Sequence, residues 1–409
     1  MGADDGRKSV GPAEAVLKYV GFHVPTASNK AHDHQGPSAT RACTLFLSTT
    51  PQHGRLRHTL LANVSAAPAR PLLPLRARRG WGLSSLRNAT FHEDYHPLSE
   101  IDDFVREMAG LRPDLVTVRR VGRSAMGREM VSLVISSGER GKARDARKKL
   151  AFVIIGAQHA REWIATATSL YLAHALVSDS SEPHSLSRLL DVFDFYIVPV
   201  PNPDGYEYTW EHDRFWYKTR QRLGAKHECL GIDMNRNWGY KWKAQKRARG
   251  SSGDPCSHWY PGQRPFEAPE VNNIANMVAQ IPDLVGFLDL RSYGQMLSSP
   301  FSYSCSATPK DAEDQLEAGL GAAWRMAQVH GTAMTTGSLC SNLYRAPGNV
   351  LDWMYKRAKA KYSYAVHLRD TGTYGFALPP QWIRPVGEET SAMVKYLAKF
   401  IATRMKREL

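Results

Sequence analysis

From Pro97 onward the apolar positions of this chain fall into two rhythms, one of helical period and one of strand period. Ile101, Phe104, Val105 and Met108 repeat at spacings of three and four, which places them on a single stripe of a helix. Ser99, with Asp102 three residues on, offers a capping arrangement at its start. Residues 115–121, 130–136 and 150–157 read as strands, the last so uniformly apolar that both its faces must be covered. A helix over 163–177 and a strand over 193–200 follow. Next come a helix over 269–280, a strand over 284–290, a helix over 313–329, a strand over 362–368 and a final helix over 388–406. Strands alternating with helices predict an α/β domain with a mixed, mostly buried central sheet flanked by helices.

Residues 1–90 lack this regularity. They are rich in Ala, Pro, Arg, Ser and His, with isolated apolar pieces such as Thr44-Leu-Phe-Leu47. Lys18 and His23 interrupt the apolar stretch at 15–24, which denies it the ~7–15-residue core of a secretory signal. The composition reads as a disordered extension, a diverged pro-segment, or an unreliable start to the sequence, ahead of a domain at 91–409. No run approaches the ~20 apolar residues of a membrane helix, so no membrane span is expected.

Composition narrows the class further. Hydrophobic residues make up 43% of 409, enough for a sizeable core. A net charge of +14 raises nucleic-acid binding as a possibility. The basic residues, however, are scattered: Arg76, Arg78 and Arg79, then 140–149, then 241–249, with no zinc finger or RNA-recognition signature beside them. Charge alone sets non-specific attraction, and no nucleic-acid partner is expected. The five cysteines (Cys43, Cys229, Cys256, Cys305 and Cys340) form no C-x-x-C pair, and the later four allow three connectivities. Asn63-Val-Ser65 and Asn88-Ala-Thr90 are glycosylation acceptors if the chain enters the secretory pathway.

The chemistry gathers after the strand at 150–157. His159 and Glu162, three apart, carry two common zinc-ligand groups, and the carboxyl end of a buried strand is where open α/β sheets hold ligands. Alone the pair is a weak signal, and two surface polar residues would be the better reading of it. It is followed in order by Pro201-Asn-Pro-Asp-Gly-Tyr206, Trp216-Tyr-Lys-Thr-Arg220 and Gly231-Ile-Asp-Met-Asn-Arg-Asn-Trp238. Ser292-Tyr293 and Leu368-Arg-Asp-Thr-Gly-Thr-Tyr-Gly-Phe376 complete the series. Together with Gln158-His-Ala-Arg-Glu-Trp163 it resembles the zinc carboxypeptidases of the A/B type over residues 91–405. Tyr208-Thr-Trp-Glu-His-Asp213, Phe287-Leu-Asp-Leu290 and Phe301-Ser-Tyr-Ser-Cys305 are similar to the fungal subgroup called inactive metallocarboxypeptidases, associated with the extracellular matrix.

The resemblance implies roles residue by residue. His159 and Glu162 match two of three zinc ligands. Asn235 and Arg236 match the pair that grips a substrate's terminal carboxylate, a task suited to a bidentate guanidinium. Arg220 matches the residue that polarises the scissile carbonyl, and Tyr344 the tyrosine that closes over substrate. Leu351 falls at the base of the side-chain pocket, where an apolar residue favours apolar or aromatic C-terminal residues, although it reads equally as core. Cys229 and Cys256 match a family disulfide; Cys305 with Cys340 would make a second, leaving Cys43 unpaired. A secreted or vacuolar monomer acting on peptide or protein C-termini is the expected setting.

Three positions depart from the family pattern. Arg291 stands where the third zinc ligand, a His, is usual; His367 stands at the general-base Glu; and Tyr217 replaces an outer-cleft arginine. A general base is worth typically ~10²–10⁴-fold, so His367 alone need not abolish turnover. A guanidinium about 4 Å from Zn²⁺ costs roughly 8 kcal/mol at an effective dielectric of 20. Structural zinc binding is worth roughly 10–16 kcal/mol, so that penalty removes most of it. Two arrangements remain open: Arg291 in the metal's place paired with Glu162, or His367 turned to a metal with Arg291 pointing away. The first predicts a non-catalytic binder of C-termini; the second leaves room for a zinc-dependent carboxypeptidase of low efficiency that releases apolar or aromatic residues.

Overall fold

The computed structural model describes residues 80–138, 148–224, 228–243 and 252–406. Cys43, the Asn63 acceptor, Arg76, Arg78 and Arg79 lie outside these, as does most of the basic stretches at 140–149 and 241–249. Helix α1 (Leu98–Leu111) precedes strands β1 (Val116–Arg123), β2 (Glu129–Ile135) and β3 (Leu150–Ile155). Helix α2 (Trp163–Val177), strand β4 (Phe193–Val198), and helices α3 (Pro203–Glu211) and α4 (Pro269–Val278) follow. Next come β5 (Leu284–Arg291), β6 (Met296–Ser299), α5 (Ala312–His330) and β7 (Thr335–Ser338). The chain ends with α6 (Leu339–Asn342), α7 (Val350–Lys356), β8 (Tyr362–His367) and α8 (Ile383–Arg404).

All eight strands join one sheet in the order β1-β2-β4-β3-β5-β8-β6-β7. Its centre, β4-β3-β5-β8, is parallel, while β1 with β2, β2 with β4, and β6 with β8 pair antiparallel. A parallel centre covered on both faces explains the unbroken apolar run of β3. Leu150, Phe152 and Ile154 face a core shared with α1, α2, α5 and α8. Ala151, Val153 and Ile155 face a second core built with α4 and α7. Helix α2 has no polar face because every residue but Ala167 is buried beneath α8 and the sheet.

The helices and strands expected from periodicity are all present, with differences at the ends. Helix α1 begins at Leu98 with Pro97 as its N-cap and makes no side-chain cap bond, so the Ser99–Asp102 cap does not form. Helix α8 starts five residues early, at Ile383 rather than 388, because Pro385 sits in the first turn, where its missing N–H has no intrahelical partner. The packed chain also extends upstream of Phe91. Leu83, Leu86 and Ala89 are buried in the first core, three short anchors with no period to announce them. Cys229–Cys256 and Cys305–Cys340 are both disulfide-bonded.

Candidate functional site

The carboxyl ends of β3, β5 and β8 lie side by side, with Ile155 opposite Asp289 and Arg291 opposite His367. Beyond β3 the chain turns sharply at Gly156, where any Cβ would lie 2.1 Å from the Pro199 carbonyl oxygen. The Glu162 amide then donates to the His159 carbonyl (3.0 Å), a tight turn that brings both side chains to one place just before α2. Asp233 enters from the opposite side, at the cap of a short 3-10 turn over Met234–Arg236, where its carboxylate accepts the Asn235 amide (2.9 Å).

Arg291 joins these groups. Its Nε donates to Glu162 Oε2 (3.0 Å) and its Nη2 to Glu162 Oε1 (3.3 Å), a two-point grip on one carboxylate. The same Nη2 donates to His159 Nδ1, and Nη1 reaches Asp289 (3.4 Å). His159 Nε2 donates to Asp233 (2.9 Å), so the imidazole lone pair sits on Nδ1 and points at the guanidinium. Tyr217 covers the ring, stacked at 3.7 Å between centroids.

The charges are tightly coupled. Burial raises the Glu162 carboxyl, but the Arg291 guanidinium leads the effects that outweigh it and bring it down to about 2. Burial raises Asp289 above the usual range, an effect Arg291 only partly offsets. Burial lowers Arg291, yet Glu162 and Asp289 hold its guanidinium well above the ordinary value. His367 is pushed down to about 3, by burial first and Arg291 second, and its Nδ1 has no hydrogen-bond partner among the described residues.

These residues do not fit a catalytic zinc. Such a site takes three protein donors and an open position. Here the Nδ1 lone pair of His159 and both oxygens of Glu162 are already committed to one guanidinium. Among the described residues no group of three His, Cys, Asp or Glu side chains is placed to hold a metal. Of the two arrangements expected, the structure adopts the one with Arg291 on Glu162.

The remaining expected residues divide. Asn235 and Arg236 are adjacent to Asp233; the Asn235 side chain is tied to the Val350 amide (2.9 Å) and, more loosely, to Asp289 (3.4 Å). Arg236 donates to the Asn235 carbonyl (2.8 Å) and the Tyr344 hydroxyl (3.1 Å), which brings those three together. The Arg220 guanidinium stacks on Tyr208 (3.7 Å) and Trp216 (4.4 Å). Leu351 is wholly buried, in a small cluster with Leu339 and Ala365.

Sequence reasoning missed Asp233, Asp289 and Gln158 as members of the site. Gln158 donates to Asp289 (2.9 Å) and accepts from the Trp238 indole (3.1 Å), which ties the motifs together from beneath. A signal existed for Asp289: a lone acid inside the buried run Phe287-Leu-Asp-Leu290 needs partners to be tolerated there.

A family model described as zinc carboxypeptidase matches residues 101–393. The chain is 36% identical over 331 residues to the inactive metallocarboxypeptidase ecm14 of Talaromyces stipitatus, covering 76% of this chain and 55% of that protein. It is 39% identical over 312 residues to a metallocarboxypeptidase A-like protein of Trichophyton verrucosum, covering 75% and 70%. The chain thus spans about half the length of the inactive relatives it matches. Among solved structures it is similar to bovine thrombin-activatable fibrinolysis inhibitor in complex with tick carboxypeptidase inhibitor. That match has a TM-score of 0.68 and 34% identity, covering 77% of this chain and 99% of that one. It is also similar to the carboxypeptidase A of Helicoverpa armigera, with a TM-score of 0.68 and 30% identity, covering 79% and 77%.

Proposed function

We propose, from the premise that this chain belongs to the zinc carboxypeptidase family, that it binds peptide or protein C-termini without hydrolysing them. The observation that carries the reading is the guanidinium of Arg291 bonded to both Glu162 and His159. Hydrolysis in this family draws on a bound zinc as a Lewis acid. With the donors committed elsewhere, that chemistry has no seat here, and His367 does not replace the missing carboxylate. A general base works best with a pKa near the operating pH, and an imidazole held at about 3 is far from it.

Binding stands apart from hydrolysis. Arg236 carries five N–H donors, and its two protein bonds leave others for a terminal carboxylate, with Tyr344 beside it. The test is titration of the protein with peptides ending in a free carboxylate and with their amides. Binding of the acid form that amidation or Arg236→Ala weakens by an order of magnitude or more supports the reading; equal binding of both forms sinks it. Chelator-sensitive release of a C-terminal Phe or Leu would instead establish a zinc-dependent peptidase.

The setting follows from the same residues. Two disulfides support an oxidising compartment, hence secretion or a vacuole. Asn88 and Thr90 are both exposed, which supports glycosylation at Asn88. No helix among the described residues is long and apolar enough to cross a membrane. The relatives named inactive are fungal, which supports a fungal source.

A further inference from the structure

Among the described residues, the stretch from Gly80 to Glu93 is held to the domain by side chains rather than by backbone pairing. Its own backbone bonds are internal: Ser85 to Gly82, Ala89 to Ser85, Thr90 to Trp81 and His92 to Ala89. The ties to the domain come from four side chains, of which His96 meets the Phe91 carbonyl (2.7 Å). His174 of α2 donates to the Leu83 carbonyl (2.9 Å). Arg384 of α8 donates to the carbonyls of Leu86 (3.1 Å) and Ala89. Glu182, after α2, accepts from the Ser85 hydroxyl (3.1 Å) and the Arg87 amide (3.0 Å).

One further link joins the stretch to α2, and its direction is fixed. His92 Nε2 lies 3.0 Å from His174 Nδ1, with both rings buried. His174 Nε2 faces a carbonyl, so it carries the proton and Nδ1 is the acceptor. His92 Nε2 must then be the donor. The relay from His92 to His174 to Leu83 exists only while Nδ1 of His174 carries no proton. A proton on His174 Nδ1 would set two N–H groups against each other. A proton on His92 would bury a cation beside Arg384.

We propose that the His92–His174 pair is an acid-released latch, which holds residues 81–92 on α2 at neutral pH and lets them go when either ring is protonated. The groups facing the pair are Tyr171 and His174 on α2, Glu182 beyond it, Phe104 on α1, Arg384 on α8, and His96 on the stretch's own side. Burial opposes a charge on both rings, and Arg384 opposes it too; the bond to the Leu83 carbonyl and then Glu182 favour one on His174 but are outweighed. Both rings are accordingly held below the usual imidazole range. Stability of the closed form is therefore complete above about pH 6.5 and is lost as pH falls below it. Each ring that regains an ordinary pKa on opening raises the opening constant up to about 30-fold at pH 5, and the two together on the order of 10³-fold.

The test is hydrogen exchange of the full chain at pH 7.5 and pH 5, corrected for intrinsic rates, comparing the peptide spanning 81–92 with one from β3. The latch predicts that opening of 81–92 rises by two to three orders of magnitude (on the order of 10²–10³-fold) while β3 stays protected. In His174→Gln, whose amide can accept and donate but not titrate, the rise shrinks to about 30-fold or less. If that variant does not fold, His92→Gln makes the same measurement. Protection of 81–92 that does not change with pH, or that changes equally in wild type and the glutamine variants, would overturn the proposal.

Discussion

Arg291 and His367 end two neighbouring parallel strands in register, so the two positions that depart from the catalytic pattern share one edge of the sheet. The relationship is electrostatic as well as spatial. Burial and then Arg291 hold the His367 ring neutral, and the neutral ring in turn leaves the guanidinium free to be satisfied by Glu162 and Asp289.

Removing Arg291 should therefore be costly. Arg291→Ala leaves Glu162 buried without its partner, and losing one half of a buried pair typically costs about 3–5 kcal/mol. Urea unfolding at neutral pH checks this; a loss below about 1 kcal/mol would mean the pair is not holding the site.

Arg291→His should open the site to metal. Asp233 already aims the His159 lone pair at this position, and Glu162 is freed by the change. The expected outcome is one zinc per chain in the variant and none in wild type, measured by elemental analysis after dialysis, with chelator lowering the Tm of the variant alone.

Arg236→Ala should weaken C-terminal peptides without unfolding the chain. A hydrogen bond to a charged group is worth about 1.5–3 kcal/mol, so affinity should drop by about 10–150-fold. Calorimetric titration measures it, and an amidated peptide should show no further loss.

Leu351→Ala separates core from pocket. A fully buried leucine packed on Leu339 and Ala365 should cost about 2–5 kcal/mol on truncation. A variant of unchanged stability but altered preference for the last peptide residue would place Leu351 in a pocket instead.

Glu270 supplies a test of opposite sign to Glu162. Burial raises its carboxyl to about 7, with one oxygen accepting the Ala125 amide (2.9 Å). Its folded state binds a proton more tightly than its unfolded state, so the stability it contributes is complete below about pH 4.5 and lost as pH rises through 7. Relative to Glu270→Gln, wild type should lose about 3 kcal/mol over that window. Glu162, held near 2, behaves the other way and loses its contribution as pH falls from about 4.5.

Much of this was legible in the chain. The long helices and the buried strands announce themselves by period, and His159, Glu162, Arg291 and His367 by their order among fixed motifs. What escaped notice has physical reasons. Strands β6 and β7 are four residues each, too short to show a period. Helix α3 begins Pro203-Asp-Gly, residues that punctuate loops elsewhere. Arg220 is marked by its motif, but its stack on Tyr208 and Trp216 is not, because no linear spacing reports a stacking partner.

The contact between Arg291 and Glu162 also bears on how such a protein can be detected. Hydroxamates, thiols and other inhibitors that seize a metal take their grip from an ion whose donors Arg291 occupies at this site. Affinity resins and profiling reagents built on that grip would pass this chain by while capturing its hydrolytic relatives. A ligand ending in a plain carboxylate, with no metal-seeking group, would make the opposite selection.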